Sequence, residues 1–283
     1  MAKLFSPAKI NLGLGIVGRR SDGYHLLQSL FAAIDFGDEI FIEAAPKTTV
    51  GLEWAESALV TSDLPSVENN LVTRLLSEIP SQWKIQIKKQ IPIGGGLGGG
   101  SSNVGTLLKY FVSLDLISKT DALGIAKKLG ADVAFFLESQ SCWVTGIGEH
   151  CSPVKAPLHG SVLLVLVPES CPTQTIFKNY RDLNQPFSSS RISPQSASET
   201  LDYLKIATND LEDSVCAHSP KISGVLKLLR SSSNNFCGLS GSGSSCFLLS
   251  PYQEDCEENF KELSISLRKL GCRTVNTKIL HVF

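Results

Sequence analysis

A glycine-rich run at residues 94–102 lies between a segment typical of a β-strand and a segment typical of an α-helix. Before it, Trp83, Ile85 and Ile87 alternate with polar residues, as in a half-buried strand. After it, apolar residues recur on one helical face: Val104, Leu107, Leu108 and Phe111. Glycines let backbone N–H groups approach phosphate oxygens, and the free amides of a helix N-terminus attract anions. The run therefore predicts a phosphate-binding loop rather than a flexible linker.

The spacing within this run argues against the Walker A loop, because Ser101 stands where that motif has its lysine. Gly94, Gly96 and Gly99 match the pattern of dinucleotide-binding folds, but such a match is weak in so glycine-rich a run. The acidic residue expected about 20 positions later is only loosely supplied by Asp115. The motifs that accompany a protein-kinase loop are missing. A dinucleotide site stays open as a weak alternative.

Length and charge restrict the class of protein. With 283 residues the chain is long enough for one large or two medium domains. A net charge of −1 argues against a nucleic-acid partner, which would require a basic excess. The longest aliphatic run, residues 162–167, is far too short to span a bilayer, and the N-terminus lacks the apolar segment of a signal peptide. We therefore expect a cytoplasmic protein without a membrane partner.

The cysteines show no C-x-x-C pair and no histidine-rich neighbour. They lie scattered at Cys142, Cys151, Cys171, Cys216, Cys237, Cys246, Cys256 and Cys272. We expect most of them to be small buried apolar residues in a reducing compartment.

Strand and helix signals occur in both halves of the chain, which favours the α+β class. In the first half, the pattern predicts strands over residues 10–16 and 36–43, with a turn at 19–23 between them. Thr120 is the expected cap of a helix that ends at Leu129.

The second half begins with the fully apolar segment 162–167, which predicts a buried strand. Residues 151–160, which include Pro153 and Pro157, predict a domain junction. The last predicted helix has its apolar residues on one face: Phe260, Leu263, Leu267 and Leu270.

Three further segments contain residues suited to chemistry. Lys9 and Asn11 share one face of an apolar strand, although a lone strand lysine is more often solvated. Asp132 precedes an apolar segment that would bury it in part, and the residues leave a helix cap and a functional carboxylate equally open. Residues 238–245 are dense in glycine and serine, so they form either a tight hairpin or a second phosphate contact. Because no glycine stands two positions after Ser240, a nucleophile elbow is excluded.

Taken together, residues 7–12, 92–103 and 239–243 resemble, in order and spacing, the three motifs of the GHMP kinases. These small-molecule kinases are named for galactokinase, homoserine kinase, mevalonate kinase and phosphomevalonate kinase. The resemblance implies an N-terminal domain like ribosomal protein S5 over residues 1–155 and a ferredoxin-like domain over residues 156–283. It also implies an active site in the cleft between them.

The resemblance implies ATP as the phosphoryl donor, Mg²⁺ as its companion ion and direct in-line transfer. Asp132 would take the proton from the acceptor hydroxyl, while Lys9 keeps that carboxylate ionised and offsets charge on the γ-phosphoryl group. These roles require Lys9 and Asp132 to be in contact. The implied ATP-binding residues are Pro92, Ile93, Gly94, Gly95, Gly96, Leu97, Gly98, Gly99, Gly100, Ser101 and Ser102.

The hydroxyls of Ser101 and Ser102 are the nearest candidate protein oxygens for Mg²⁺, and no protein ligand of the metal is assigned. The third glycine motif has a serine where the family commonly has threonine. Its members are Ser240, Gly241, Ser242 and Gly243.

Four more segments resemble the branch of this family whose acceptor contains a cytidine diphosphate group. They are residues 20–31, 130–133, 172–177 and 209–212. That branch phosphorylates the 2-hydroxyl of a methylerythritol unit in the non-mevalonate isoprenoid pathway. The partner implied is therefore this small molecule, and the chain is expected to be a monomer or a homodimer.

The resemblance to this branch also implies the residues of the acceptor site. Tyr24 and Phe177 would grip the base, and His25 and Thr173 would supply hydrogen bonds. Asn11 would orient the methylerythritol hydroxyls. A GHMP kinase for mevalonate, homoserine or a sugar would have no use for such a nucleobase clamp. A nucleotide-binding regulator without catalysis and a dehydrogenase remain as alternatives from other classes.

Overall fold

The computed structural model describes residues 1–60, 62–138, 141–155, 158–182, 186–191, 193–232, 235–252 and 257–281. Two β-sheets organise these residues, one from each half of the chain. The first sheet contains β1 (Ala2–Arg19), β2 (His25–Ala44), β3 (Thr49–Trp54), β4 (Trp83–Lys89), β5 (Cys142–Gly146) and β6 (His150–Pro153). The helices of this half are α1 (Leu71–Leu76), α2 (Gly99–Ser113), α3 (Lys119–Leu129) and α4 (Val133–Leu137).

The long strand β2 organises the first sheet. One edge of β2 pairs with β1 over nearly its whole length, and the other edge pairs with β4 near one end and β5 near the other. The remaining strands β3 and β6 lie beyond β4 and β5. The β3–β4 pair is parallel, and the other pairs in this sheet are antiparallel.

The second sheet is antiparallel, with the strand order β10-β7-β9-β8. Its strands are β7 (Gly160–Leu166), β8 (Phe236–Leu239), β9 (Cys246–Pro251) and β10 (Arg273–Lys278). Its helices are α5 (Thr173–Asp182), α6 (Ala197–Ile206), α7 (Glu212–His218), α8 (Pro220–Ser232) and α9 (Glu257–Lys269). Along the chain, helices α5 to α8 connect β7 to β8, and α9 connects β9 to β10. This order gives the βαββαβ arrangement of a ferredoxin-like fold. The α+β prediction is confirmed.

The two halves share a core. Ile10 of β1 belongs to the same buried cluster as Leu164 of β7 and Phe247 of β9, so residues of both sheets meet there. Farther along β1, Leu14 and Ile16 join the core of the second half. This packing places the polar residues of β1 where the two halves meet. The boundary between residues 155 and 156 remains a prediction, and Pro157 of the expected junction lies outside the described residues.

Some local predictions need correction. Helix α3 is capped by Ser118 rather than Thr120, because the Ser118 hydroxyl accepts from the Asp121 amide at 3.0 Å while the Asp121 carboxylate accepts in return. In the last helix Phe260, Leu263 and Leu267 are buried as predicted. Leu270, however, follows the end of α9 and is 43% exposed, so it does not belong to the apolar face.

None of the described cysteines is in a disulfide bond, and Cys256 lies outside the described residues. Cys142, Cys171, Cys246 and Cys272 are buried, as expected for small apolar residues. Burial raises the pKa of Cys151 to about 12, which keeps that thiol protonated at neutral pH. Separately, none of the helices in the described part of the chain is long and apolar enough to cross a membrane.

Candidate active site

A cleft of about 1020 Å³ lies where β1, the glycine-rich loop, α5 and the third glycine motif converge. It contains predicted site residues from widely separated segments. Those that line it are Lys9, Asn11, Tyr24, His25, Pro92, Ile93, Gly94, Gly95, Gly96, Leu97, Gly98, Gly99, Gly100, Ser101, Asp132, Thr173, Phe177, Gly241 and Ser242. The predicted residues Ser102, Ser240 and Gly243 are buried and do not line it.

The glycine-rich loop leads directly into the N-terminus of α2. Gly94, Gly96 and Gly98 have positive φ angles of 70°, 75° and 70°, a region that other residues rarely adopt. A Cβ atom on Gly96 would lie 2.0 Å from the carbonyl oxygen of Ser240, so no larger residue fits there. The free amides at the start of this 15-residue helix face the cleft region that the loop lines, which suits an anionic phosphate.

The two serines of the loop have different surroundings. Because α2 begins at Gly99, both Ser101 and Ser102 lie in its first turn. The hydroxyl of Ser102 is fully buried, donates to the Pro7 carbonyl at 2.6 Å and lies 2.7 Å from the Ser6 hydroxyl. Ser102 therefore fixes α2 to β1, and Ser101 is the serine that lines the cleft.

The third glycine motif contacts the phosphate loop through a hydrogen bond. The Ser240 hydroxyl donates to the Gly96 carbonyl at 2.9 Å. Asn209 holds the motif itself, because its side-chain amide donates to the carbonyls of Leu239 at 3.0 Å and Gly241 at 2.8 Å. Asn209 belongs to the segment 209–212 singled out in the sequence, and Leu211 of the same segment lines the cleft directly.

Lys9 and Asp132 meet at the centre of the cleft. The Lys9 ammonium lies 3.7 Å from the Asp132 carboxylate and 4.6 Å from the centre of the Phe31 ring. Burial lowers the pKa of Lys9, and the nearby charge of Asp132 opposes that shift. Asp132 occupies the N-cap position of α4, but its side chain makes no capping hydrogen bond. With 32% of its side chain exposed, the carboxylate remains accessible to a ligand.

Asn11 holds Lys9 in position. Its side-chain oxygen accepts from the Lys9 ammonium at 2.5 Å, and its side-chain nitrogen donates to the Ser29 hydroxyl at 3.1 Å. The Ser240 hydroxyl approaches the same oxygen at 3.5 Å. Asn11 borders the cleft but is only 1% exposed, and hydrogen bonds to protein atoms hold its side chain.

Aromatic rings line the outer end of the cleft. The imidazole of His25 stacks on Phe177, with ring centres 5.2 Å apart and an interplanar angle of 24°. Tyr180 contacts the same imidazole edge-on at 5.7 Å. Tyr24 also lines the cleft but is 60% exposed. The sequence pointed to Tyr24 and Phe177 as the aromatic pair, whereas the ring that contacts Phe177 here is His25.

The surroundings of His25 keep it neutral. Burial lowers its pKa, and the charges of Arg19 and Arg181 lower it further. A neutral imidazole has one donor and one acceptor nitrogen, as base recognition requires. Nearby, the hydroxyls of Thr173 and Ser242 lie 3.0 Å apart, which joins the start of α5 to the third glycine motif.

Sequence reasoning missed a second buried lysine. Lys89 lines the cleft, forms an ion pair with the fully buried Asp38 and donates to the Asn103 side chain at 3.1 Å. The Asp38 carboxylate also accepts from the backbone amides of Gln90 at 2.8 Å and Ile91 at 2.9 Å. The sequence held a signal for its burial, because alternation along β4 puts Lys89, and not Lys88, on the same face as Ile87 and Ile85. This network holds the chain just before the phosphate loop.

Within the described residues, no group of three or more histidine, cysteine, aspartate and glutamate side chains could hold a metal ion. Beside the phosphate loop, the protein oxygens that line the cleft include the Ser101 hydroxyl and the Asp132 carboxylate.

Comparison with known proteins agrees with this geometry. The family model of the GHMP kinases N terminal domain matches residues 69–140, which include the phosphate loop. A 4-diphosphocytidyl-2-C-methyl-D-erythritol kinase of Leptospira biflexa is 31% identical over 97% of this chain and 98% of its own length. The chain belongs to the GHMP kinase family.

Further members of this family have similar sequences and folds. A kinase of the same name from Chlorobium phaeobacteroides is 36% identical over 88% of this chain and 89% of its own length. A crystal structure of 4-(cytidine 5'-diphospho)-2C-methyl-D-erythritol kinase superposes with a TM-score of 0.79 at 27% identity. That match covers 98% of this chain and 99% of the other. The GHMP kinase fold is therefore confirmed.

Proposed function

We propose that this GHMP kinase transfers the γ-phosphoryl group of ATP to the 2-hydroxyl of 4-diphosphocytidyl-2-C-methyl-D-erythritol, in the non-mevalonate isoprenoid pathway. The observation that carries the proposal is the position of the Lys9–Asp132 pair, separated by 3.7 Å, in one cleft with the phosphate loop and the His25–Phe177 stack. A phosphate site, a base and a nucleobase site in one cleft are what a kinase of a cytidylyl alcohol requires. The curated relatives of that name support this choice of acceptor.

Asp132 is the proposed base. Its carboxylate has no capping bond and is accessible, so it can accept the proton of the acceptor hydroxyl as that oxygen attacks the γ-phosphorus. The Lys9 ammonium stabilises the carboxylate anion and the charge that grows on the phosphoryl oxygens. Asn11 limits the motion of this ammonium through its short hydrogen bond.

ATP is the proposed donor, and its phosphates would lie against the loop amides of residues 94–100. The positive φ angles of Gly96 and Gly98 set the path of the loop, and the N-terminus of α2 adds positive potential. The Ser101 hydroxyl, which lines the cleft, is the protein oxygen proposed to lie nearest the Mg²⁺ ion that accompanies the phosphates. When bound, Mg²⁺ would neutralise charge on the phosphates.

The cytosine base is proposed to occupy the outer end of the cleft. Phe177 and the exposed ring of Tyr24 offer stacking surfaces, each worth about 1–3 kcal/mol for a nucleobase. The neutral imidazole of His25 offers a donor and an acceptor to the base edge. Thr173, joined to Ser242, supplies a further hydroxyl beside them.

The test is release of ADP from Mg-ATP in the presence of two acceptors. We expect turnover with 4-diphosphocytidyl-2-C-methyl-D-erythritol, little turnover with the same alcohol lacking its cytidylyl group, and loss of turnover in Asp132→Asn. ATP binding should persist in that variant, because Asp132 is not part of the phosphate loop. Turnover with mevalonate, homoserine or a sugar instead would refute the acceptor assignment, and turnover of NAD would refute the reaction class.

A further inference from the structure

Two arginines lie next to the proposed base site, and neither belongs to the catalytic pair. Arg19 is the last residue of β1 and is paired in register with His25 of β2. Arg181 is in the last turn of α5, four residues after Phe177 and therefore on the same helical face. Because Phe177 stacks on His25, both arginines are neighbours of one aromatic pair. Both also line the cleft.

The charge of these arginines is not neutralised by their described surroundings. Among the side chains that the structure describes, neither guanidinium has a carboxylate within ion-pair distance. Arg19 donates to the backbone carbonyl of Gly23 at 3.3 Å, which leaves its charge unpaired. The acidic residue lining this end of the cleft is Asp22, and its carboxylate pairs with Arg20 at 2.7 Å.

The positive charges of the two arginines also act on His25. After burial, the charges of Arg19 and then Arg181 are the largest causes that lower its pKa. The groups around the imidazole on α5 are Phe177, the buried Tyr180 and Arg181, and none of them is an anion. Both arginines therefore contribute positive potential to the part of the cleft where the base is proposed to bind.

We propose that Arg19 and Arg181 are specificity-determining residues that select acceptors carrying a diphosphate group next to the nucleoside. This inference rests on the proposed function. In the proposed acceptor, the diphosphate joins the nucleoside at the outer end to the alcohol at Lys9 and Asp132. Two unpaired cations at that outer end raise the local concentration of such an anion and favour it over a neutral nucleoside. Their effect weakens with salt because both side chains are exposed.

The test compares cytidine and cytidine diphosphate as inhibitors competing with the acceptor, at saturating Mg-ATP and at two ionic strengths. In the wild type, we expect the diphosphate to bind more tightly than cytidine, by a ratio that falls as salt rises. Arg19→Gln and Arg181→Gln should each reduce that ratio about threefold at low salt, and the double variant about tenfold. Cytidine affinity should change little in all of them.

The matched control is Arg268→Gln, which removes an exposed guanidinium from the last turn of α9, outside the cleft. This variant should keep the wild-type ratio. An unchanged ratio in Arg19→Gln and Arg181→Gln, in enzyme that still turns over the acceptor, would overturn this inference and leave the proposed function intact. Failure of the wild type to turn over the acceptor would overturn both.

Discussion

The two buried lysines of the cleft are expected to respond differently to replacement by methionine. Lys9 is 4% exposed, and its lowered pKa means that burial outweighs the attraction of Asp132. Burying the charged ammonium therefore costs free energy in the folded state, and Lys9→Met removes that cost. Asp132 remains 32% exposed, so its charge stays hydrated. The variant also leaves the buried side-chain oxygen of Asn11 without the Lys9 donor, which offsets part of this gain. We expect the free energy of unfolding to change by less than about 2 kcal/mol, while kcat falls at least about a hundredfold.

Lys89→Met should destabilise the protein. Its partner Asp38 is 0% exposed, so the variant would leave a buried carboxylate without its cation. The amides of Gln90 and Ile91 would still donate to it, but they do not supply a countercharge. Breaking a buried pair from one side costs about 3–5 kcal/mol.

The assay is equilibrium urea unfolding of both variants at pH 7.5, with ADP release measured on the same preparations. The pH dependence supplies a second check. Because the pKa of Lys9 is lower in the folded chain than its ordinary 10.5, its cost is fully present below the folded-state value and disappears as the pH approaches 10.5. The difference between Lys9→Met and wild type should therefore shrink as pH rises. A Lys9→Met variant destabilised by more than about 3 kcal/mol, or a neutral Lys89→Met, would refute this reasoning.

Three further predictions follow from the site. Gly96→Ala should sharply weaken ATP binding and stability, because its Cβ would lie 2.0 Å from the Ser240 carbonyl; a normal KM for ATP and a normal melting temperature would contradict this. Ser102→Ala should lower the free energy of unfolding in urea by about 1–3 kcal/mol and leave the KM for ATP unchanged, because its hydroxyl bonds to the Pro7 carbonyl. Ser101→Ala should lower kcat/KM for Mg-ATP with little loss of stability, because Ser101 lines the cleft. The reverse pattern would contradict the placement of the two serines. Since the pKa of His25 is lowered, inhibition by cytidine should stay constant from pH 8 down to about 6.5 and weaken below that. Weaker inhibition already at pH 7 would contradict a lowered pKa for this imidazole.

Periodicity was enough to predict β4 and α2, the elements on either side of the phosphate loop, but not the helix α5 that carries Phe177. The alternation of Trp83, Ile85 and Ile87 reappears as the buried face of β4, and the apolar residues after the glycines form the buried face of α2. The α+β class followed from the mixture of these patterns. The approach of Lys9 to Asp132 joins residues far apart in the chain, and the family resemblance rather than any local pattern suggested it.

Other features depend on tertiary contacts that spacing does not reveal. Ser101 and Ser102 are equivalent in sequence, but neighbouring residues of a helix point about 100° apart, and only the Ser102 hydroxyl reaches the Pro7 carbonyl. The Asp38–Lys89 pair was missed because a lysine at a strand end is usually solvated, and its partner comes from another strand. The stacking of a histidine on Phe177 likewise depends on how α5 packs against β2.

In the proposed reaction, this cleft phosphorylates a cytidylyl alcohol with Asp132 as the base. The most direct measurement is ³¹P NMR of wild type and Asp132→Asn incubated with Mg-ATP and 4-diphosphocytidyl-2-C-methyl-D-erythritol. With the wild type we expect ADP, one new phosphomonoester signal and intact diphosphate signals in the acceptor. With the variant we expect no new ester. Inorganic phosphate as the sole product, or an equal rate of ester formation in Asp132→Asn, would contradict it.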